Sequence, residues 1–90
     1  MIEGITKSGF KYKLTDDARD DYELVELLSD YSEDPTVFPK IARRLLGPEQ
    51  HKALKEHVRN KNGIVTNTAM EAEITDIFNA GAIGEDQLKN

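Results

Sequence analysis

The chain has 90 residues, the length of one small domain, and 17 acidic against 12 basic residues give it a net charge of −5. It contains no cysteine, which excludes disulfides and thiolate metal sites, and no apolar run approaches the roughly 18 residues that a membrane span needs. We therefore expect one domain over residues 1–90, without a signal peptide or a membrane partner. The acidic balance also disfavours general nucleic-acid binding.

Charge is sorted into blocks along the chain. Residues 16–34 hold nine acids and one base, whereas residues 39–61 hold seven bases and two acids. Sorting of this kind either holds one fold together or presents charged faces to partners. The sequence leaves both interpretations open.

Residues 1–14 predict a short β-ribbon. Phe10, Tyr12 and Leu14 alternate with lysines, which is the period of a strand, and a turn near Gly9 lets residues 2–6 pair back. A lone ribbon is marginal in water, so helices or another chain must cover this apolar face. Phe10 and Tyr12 are therefore candidate protein-binding residues.

Two helices are predicted next. The first runs from about residue 17 to residue 32, because apolar positions recur at helical spacing after a group of aspartates that suit a helix N-terminus. The second has Thr36 as its cap and Pro39 in its first turn. Gly47 supplies the residue that ends this helix, and Pro48 cannot continue it.

Two more helices complete a predicted helical core over residues 16–80. The third begins at Pro48 and ends near residue 60, and the fourth begins at either Thr66 or Thr68 and ends near Gly81. Residues 81–90 are predicted to be a frayed polar tail. The fold class is therefore mainly α, a small four-helix domain preceded by a short N-terminal β-ribbon. The side chains expected to be buried are Leu28, Ile41, Leu45, Leu54, Ile74 and Phe78.

No pattern in the sequence indicates chemistry. His51 and His57 are six residues apart, a helical rotation of about 240°, so they do not converge on one metal ion. The paired aspartates Asp16/Asp17 and Asp20/Asp21 lack the alternating spacing of a calcium loop. We expect no catalytic residue, no metal site and no cofactor, and hence no enzyme.

The basic block supplies the other candidate contacts. Its candidate protein-binding residues are Arg43, Arg44, Lys52, Lys55 and Arg59. The two predicted helices around Gly47 also match a helix-turn-helix in outline, which leaves a small DNA-binding regulator using Arg43, Arg44 and the third helix as an alternative. Because any two helices joined by a glycine look this way, we favour a protein partner or the acidic first helix as the target of these bases.

The order of these features resembles that of phage tail assembly chaperones from tailed phages and prophages of Gram-positive bacteria. The similarity extends from about residue 8 to residue 80. It lies in the order and spacing of four segments: SGFKYKL (8–14), DDYELVELL (20–28), LLGPEQHKAL (45–54), and GIV (63–65) leading into 71–78.

The resemblance implies a small, mostly helical, non-catalytic protein. Such proteins bind the tape measure protein, keep its long hydrophobic helices soluble and recruit tail tube subunits. The resemblance places the chain in the cytoplasm of the bacterial host and outside the finished virion, and in many phages a frameshift adds a C-terminal extension. A structural head-tail joining protein is a second alternative, and self-association stays open.

Overall fold

The computed structural model describes residues 1–80, which form a two-stranded ribbon followed by three α-helices. The strands are β1 (Ile2–Ile5) and β2 (Lys11–Leu14), and the helices are α1 (Tyr22–Tyr31), α2 (Phe38–Val58) and α3 (Asn67–Asn79). The mainly helical class and the N-terminal ribbon are confirmed, but the count of four helices is wrong. The predicted tail at 81–90 lies outside the described residues.

The ribbon is antiparallel and pairs as the alternation predicted. Ile2 lies opposite Leu14, and Gly4 lies opposite Tyr12. The turn is closed by a hydrogen bond from the Gly9 N–H to the Thr6 carbonyl at 2.9 Å, and Gly9 adopts a φ of 98°, which a residue with a side chain rarely tolerates. Tyr12 and Leu14 point into the core, so the helices cover the apolar face of the ribbon.

Gly4 gives the ribbon one position where a side chain does not fit. The ring of Tyr12 crosses over this glycine, and a Cβ there would lie 2.5 Å from the Tyr12 Cζ atom. Because Tyr12 is itself only 3% exposed, its ring has little room to move. We expect Gly4→Ala to lower the free energy of unfolding by about 1–3 kcal/mol in a denaturant titration. Glu3→Ala, an exposed neighbour on the same strand, is the control, and equal midpoints for the two variants would contradict this packing.

α1 begins later than the sequence suggested. A short 3₁₀ turn (Ala18–Asp20) comes first, and Asp21 then caps α1 by accepting a hydrogen bond from the Glu23 N–H at 3.0 Å. The prediction of one helix from residue 17 is therefore wrong at its start. Asp21 is the capping residue because its extended backbone comes immediately before the first helical residue.

α2 joins the second and third predicted helices. Gly47 adopts non-helical angles, with φ 81° and ψ 162°, and the chain resumes a helix at once at Pro48, so α2 consists of two helical segments joined by a kink at Gly47. The start of α2 also differs from the prediction. A 3₁₀ turn (Pro35–Val37) comes first, and Asp34 caps this turn by accepting a hydrogen bond from the Thr36 N–H. α2 itself begins after Val37 without a side-chain cap, so Thr36 is not its cap.

α3 begins where one of the two predicted caps placed it. The Thr66 hydroxyl accepts a hydrogen bond from the Ala69 N–H at 3.2 Å, which decides between Thr66 and Thr68. Among residues 1–80, none of the helices has both the length and the apolar character that crossing a bilayer requires.

The core lies between the ribbon and the three helices. Four of the six predicted core side chains are buried: Ile41, Leu45, Leu54 and Ile74. Leu28 was predicted wrongly, because it is 37% exposed while Leu24 takes the inward position on α1. Phe78 packs on the margin of the core and is half-buried, and its neighbour Ile77 fills the centre.

Candidate protein-binding surfaces

Three of the predicted basic contacts lie along α2 beyond the kink or at its end. Lys52 and Lys55 are three residues apart, about 60° around the helix, and Arg59 is the residue that follows the last helical position. Lys52 and Arg59 are exposed, and Lys55 is half-buried. Arg59 is held by Glu56 and donates to the Gly63 carbonyl at 2.9 Å, and its guanidinium lowers the pKa of Glu56. The two lysines form no ion pair within residues 1–80.

Arg44 is an internal contact. Its Nε donates to the Asp21 Oδ2 at 2.6 Å, and its Nη2 donates to the Glu23 Oε1 at 2.7 Å. The hydrogen bond from Arg44 is the largest cause of the lowered pKa of Asp21. Since Asp21 also caps α1, this guanidinium ties the start of α1 to α2. The acidic and basic blocks therefore meet at a surface contact between α1 and α2.

Arg43 differs from its neighbour. Its side chain is exposed and forms no ion pair with any of residues 1–80. The two adjacent arginines thus give a matched pair of the same residue type, one engaged within the fold and one open to solvent.

We expect Arg44→Glu to lower the thermal midpoint of unfolding, because it places a carboxylate against Asp21 and Glu23 and removes the link between α1 and α2. Arg43→Glu makes the same charge change one residue away and should leave the midpoint nearly unchanged. Calorimetric scans of the two variants at low salt measure the difference. Equal midpoints would show that the Arg44 contacts contribute nothing to the fold.

Phe10 and Tyr12 lie in the core and not on the surface. Phe10 is 8% exposed and Tyr12 is 3% exposed. The ring of Phe10 also packs 5.5 Å from the ring of His57, measured between centroids. The chain's own helices therefore cover the apolar face of the ribbon. In this conformation the side chains of Phe10 and Tyr12 are not available to a partner.

His51 is a buried titratable group on α2. Burial lowers its pKa below the ordinary value of 6.5, and the nearby positive charges of Lys55 and Arg43 act in the same direction. The native state therefore disfavours the protonated form of His51. In the unfolded chain the imidazole takes up a proton at its ordinary pKa, so acid favours unfolding.

The expected result is a loss of stability as the pH falls below about 6.5 towards the lowered folded-state pKa. The carboxylates with lowered pKa titrate at lower pH, below their ordinary values of 3.8 and 4.5. They therefore contribute little to the change in stability just below pH 6.5. Thermal midpoints at about pH 7.5 and about pH 5.5 measure the loss. His51→Gln should flatten the pH dependence more than His57→Gln does; if the exposed histidine has the larger effect, His51 is not the responsible group.

A polar cluster that the sequence did not predict ties the ribbon turn to α3. The Thr6 and Ser8 hydroxyls donate to the two carboxylate oxygens of Glu73, each at 2.7 Å. The Ser8 Oγ also lies 3.0 Å from the His57 Nε2, and the Lys7 N–H donates to the Asp76 Oδ2 at 2.9 Å. We call Thr6, Ser8, His57 and Glu73 the turn clamp.

The turn clamp brings a serine and a histidine together, which the sequence separates by 49 positions. It lacks the order of a catalytic triad, in which the carboxylate orients the imidazole. Here the carboxylate binds both hydroxyls, and so holds the Ser8 hydrogen itself. The only signal in the sequence was an acid inside an apolar stripe, because Glu73 lies on the same side of α3 as Met70, Ile74 and Ile77.

The solvent-facing side of α1 carries exposed apolar side chains. Tyr22 is 72% exposed, Val25 is 51% exposed and Leu28 is 37% exposed. Beside them Glu26 and Asp30 are exposed and form no ion pair within residues 1–80. This helix therefore presents apolar and acidic groups together, whereas the exposed side of α2 beyond the kink presents bases.

No family model matches this chain, and no curated protein or solved structure matches it.

Proposed function

We propose that this chain is a non-catalytic phage tail assembly chaperone that binds a tape measure protein and recruits tail tube subunits. The observation that carries the proposal is that most of the sorted charge stays on the surface. Lys52 and Lys55 on α2, and Glu26 and Asp30 on α1, form no ion pairs within residues 1–80. Charged side chains that form no ion pair within the fold can attract oppositely charged partners and speed their association.

The identity of the partner rests on the order of the sequence segments that resemble the chaperone family. A chain of this kind would act in the cytoplasm of the bacterial host during tail assembly and would be absent from the finished virion. It would need no cofactor, because holding a helical partner takes only apolar and charged surface. Self-association would be compatible with this role.

The alternative of a DNA-binding regulator is less well supported. Arg44, one of its two leading phosphate contacts, donates its hydrogen bonds to Asp21 and Glu23. The two helical segments of α2 are joined at the single non-helical residue Gly47, which is shorter than the turn of about three to four residues in a helix-turn-helix. A head-tail joining protein remains the structural alternative, and it differs in that it would be retained in the particle.

Co-expression with the tape measure protein that this proposal implies as the partner tests the proposal. We expect a higher soluble yield of the tape measure protein, co-purification of the two chains, and no trace of this chain in purified virions. Retention in the virion would favour the head-tail joining protein. Retention of random duplex DNA at about 150 mM salt, with no capture of tape measure protein, would favour the regulator.

A further inference from the structure

We propose that the solvent-facing side of α1 is the docking surface for a basic amphipathic helix of a partner protein. The docking surface consists of Tyr22, Val25 and Leu28 together with Glu26 and Asp30. The inference deepens the proposed function and rests on it only for the partner's identity as a tape measure protein; the surface and its chemistry follow from the exposed side chains.

The apolar half of the docking surface is continuous along the helix. At 100° per residue, Tyr22, Val25 and Leu28 fall within about 120° of one another. Tyr22 is farthest from the buried Leu24, and Leu28 is the least exposed of the three because it lies nearest to Leu24. Six large apolar side chains of residues 1–80 are exposed, and α1 alone provides half of them. Apolar side chains spaced by about one turn are what a helical partner uses as anchors.

The acidic half adjoins the apolar half. Glu26 and Asp30 lie one turn apart on the flank next to Tyr22, and no basic residue occurs between residues 20 and 34. Glu23 is paired with Arg44, whereas Glu26 and Asp30 form no ion pair within residues 1–80. A partner helix that places leucine-like side chains on the apolar half brings its flanking bases against these two carboxylates.

A second copy of this chain fits the surface less well than a separate helix. The basic side of α2 offers Lys52 and Lys55 but no exposed large apolar side chain. The other exposed apolar side chains, Met1, Ile5 and Ile64, lie outside the helices. The occupant must supply both an apolar stripe and adjacent bases. Since α1 has 10 residues, or about 15 Å, it accommodates some three turns of that helix.

The probe is a synthetic helical peptide of about 14 residues with leucines at positions i, i+3, i+4 and i+7 and lysines flanking them. Its control carries glutamates in place of the lysines. Binding to the full chain is measured by fluorescence anisotropy in a salt series, and amide chemical shifts locate the contact on the wild-type protein. The tape measure protein is tested separately by co-purification, so that failure of the surface and failure of the proposed function can be told apart.

We expect the basic peptide to bind, the acidic control to bind at least about tenfold more weakly, and the affinity to fall with salt. Val25→Ser with Leu28→Ser should weaken binding about tenfold or more, and so should Glu26→Lys with Asp30→Lys. Matched controls are Ile64→Ser, an exposed apolar residue in a loop, and Glu49→Lys, an exposed acid on α2; both should bind as the wild type does.

Three results would overturn the proposal. The first is equal binding of the acidic and basic peptides, and the second is a set of shifted amides on α2 or α3 instead of α1. The third is a concentration-dependent dimer in sedimentation that the Val25/Leu28 variant abolishes, because the surface would then join two copies. The shift mapping uses the wild-type chain, so the inference is tested even if a variant fails to fold.

Discussion

Leu45→Ala is expected to lower the free energy of unfolding by about 2–4 kcal/mol. Leu45 lies on α2 just before the Gly47 kink and is only 5% exposed. It belongs to the cluster that joins the ribbon to the helices, so truncation leaves a cavity that the kinked helix cannot easily close. In so small a domain this loss is a large part of the total stability, which is about 5–15 kcal/mol for typical proteins.

Leu28→Ala is the matched control, because it makes the same substitution at a residue that is 37% exposed. We expect a cost of less than about 1 kcal/mol there. Urea titrations of both variants provide the comparison. Equal losses would mean that the inward side of α1 includes Leu28, and an unchanged midpoint for Leu45→Ala would mean that this part of α2 faces solvent.

Removing the Glu73 carboxylate is expected to have the second large effect. Glu73 is 5% exposed, and its two carboxylate oxygens accept hydrogen bonds from the Thr6 and Ser8 hydroxyls. A hydrogen bond to a charged group contributes about 1.5–3 kcal/mol, and Glu73→Ala breaks two of them while leaving the buried Thr6 hydroxyl without its acceptor. We expect a loss of about 2–4 kcal/mol.

Glu73→Gln distinguishes the contribution of the charge from that of the side-chain shape, because the amide keeps one acceptor oxygen but loses the charge. It should cost less than Glu73→Ala, while Glu49→Ala on the surface should cost almost nothing. Hydrogen exchange should also show faster opening of the turn amides, the Phe10 N–H among them, since it donates to the Thr6 hydroxyl that Glu73 holds. If the turn amides exchange at the wild-type rate in Glu73→Ala, the turn clamp does not hold the ribbon.

The local patterns of the sequence predicted the ribbon and the helical regions, but not the number of helices or all of their boundaries. Alternation over Phe10 to Leu14 predicted the strand, and the position of Thr66 before an apolar stripe predicted the start of α3. Gly47 correctly predicted a departure from helical angles. Whether the chain then turns away or continues depends on how the segments on both sides pack, which the local sequence does not specify, and here a second helical segment follows at once.

The arrangement of the candidate surfaces was harder to predict, because it depends on contacts distant in sequence. Arg44 reaches Asp21 across 23 positions, and Ser8 reaches Glu73 across 65. Periodicity gave no reason to separate Arg43 from Arg44, or Leu24 from Leu28. The choice in each pair depends on the contacts between α1 and α2, which neither helix encodes alone.

The most direct test of the binding role is capture of purified tape measure protein by the immobilised chain in a sodium chloride series. We predict capture at about 150 mM salt that declines as screening increases, while the thermal midpoint of the free chain changes little over the same range. Capture should weaken with Glu26→Lys and Asp30→Lys and persist with Glu49→Lys. Absence of capture at the lowest salt, with the chain folded, would contradict the account.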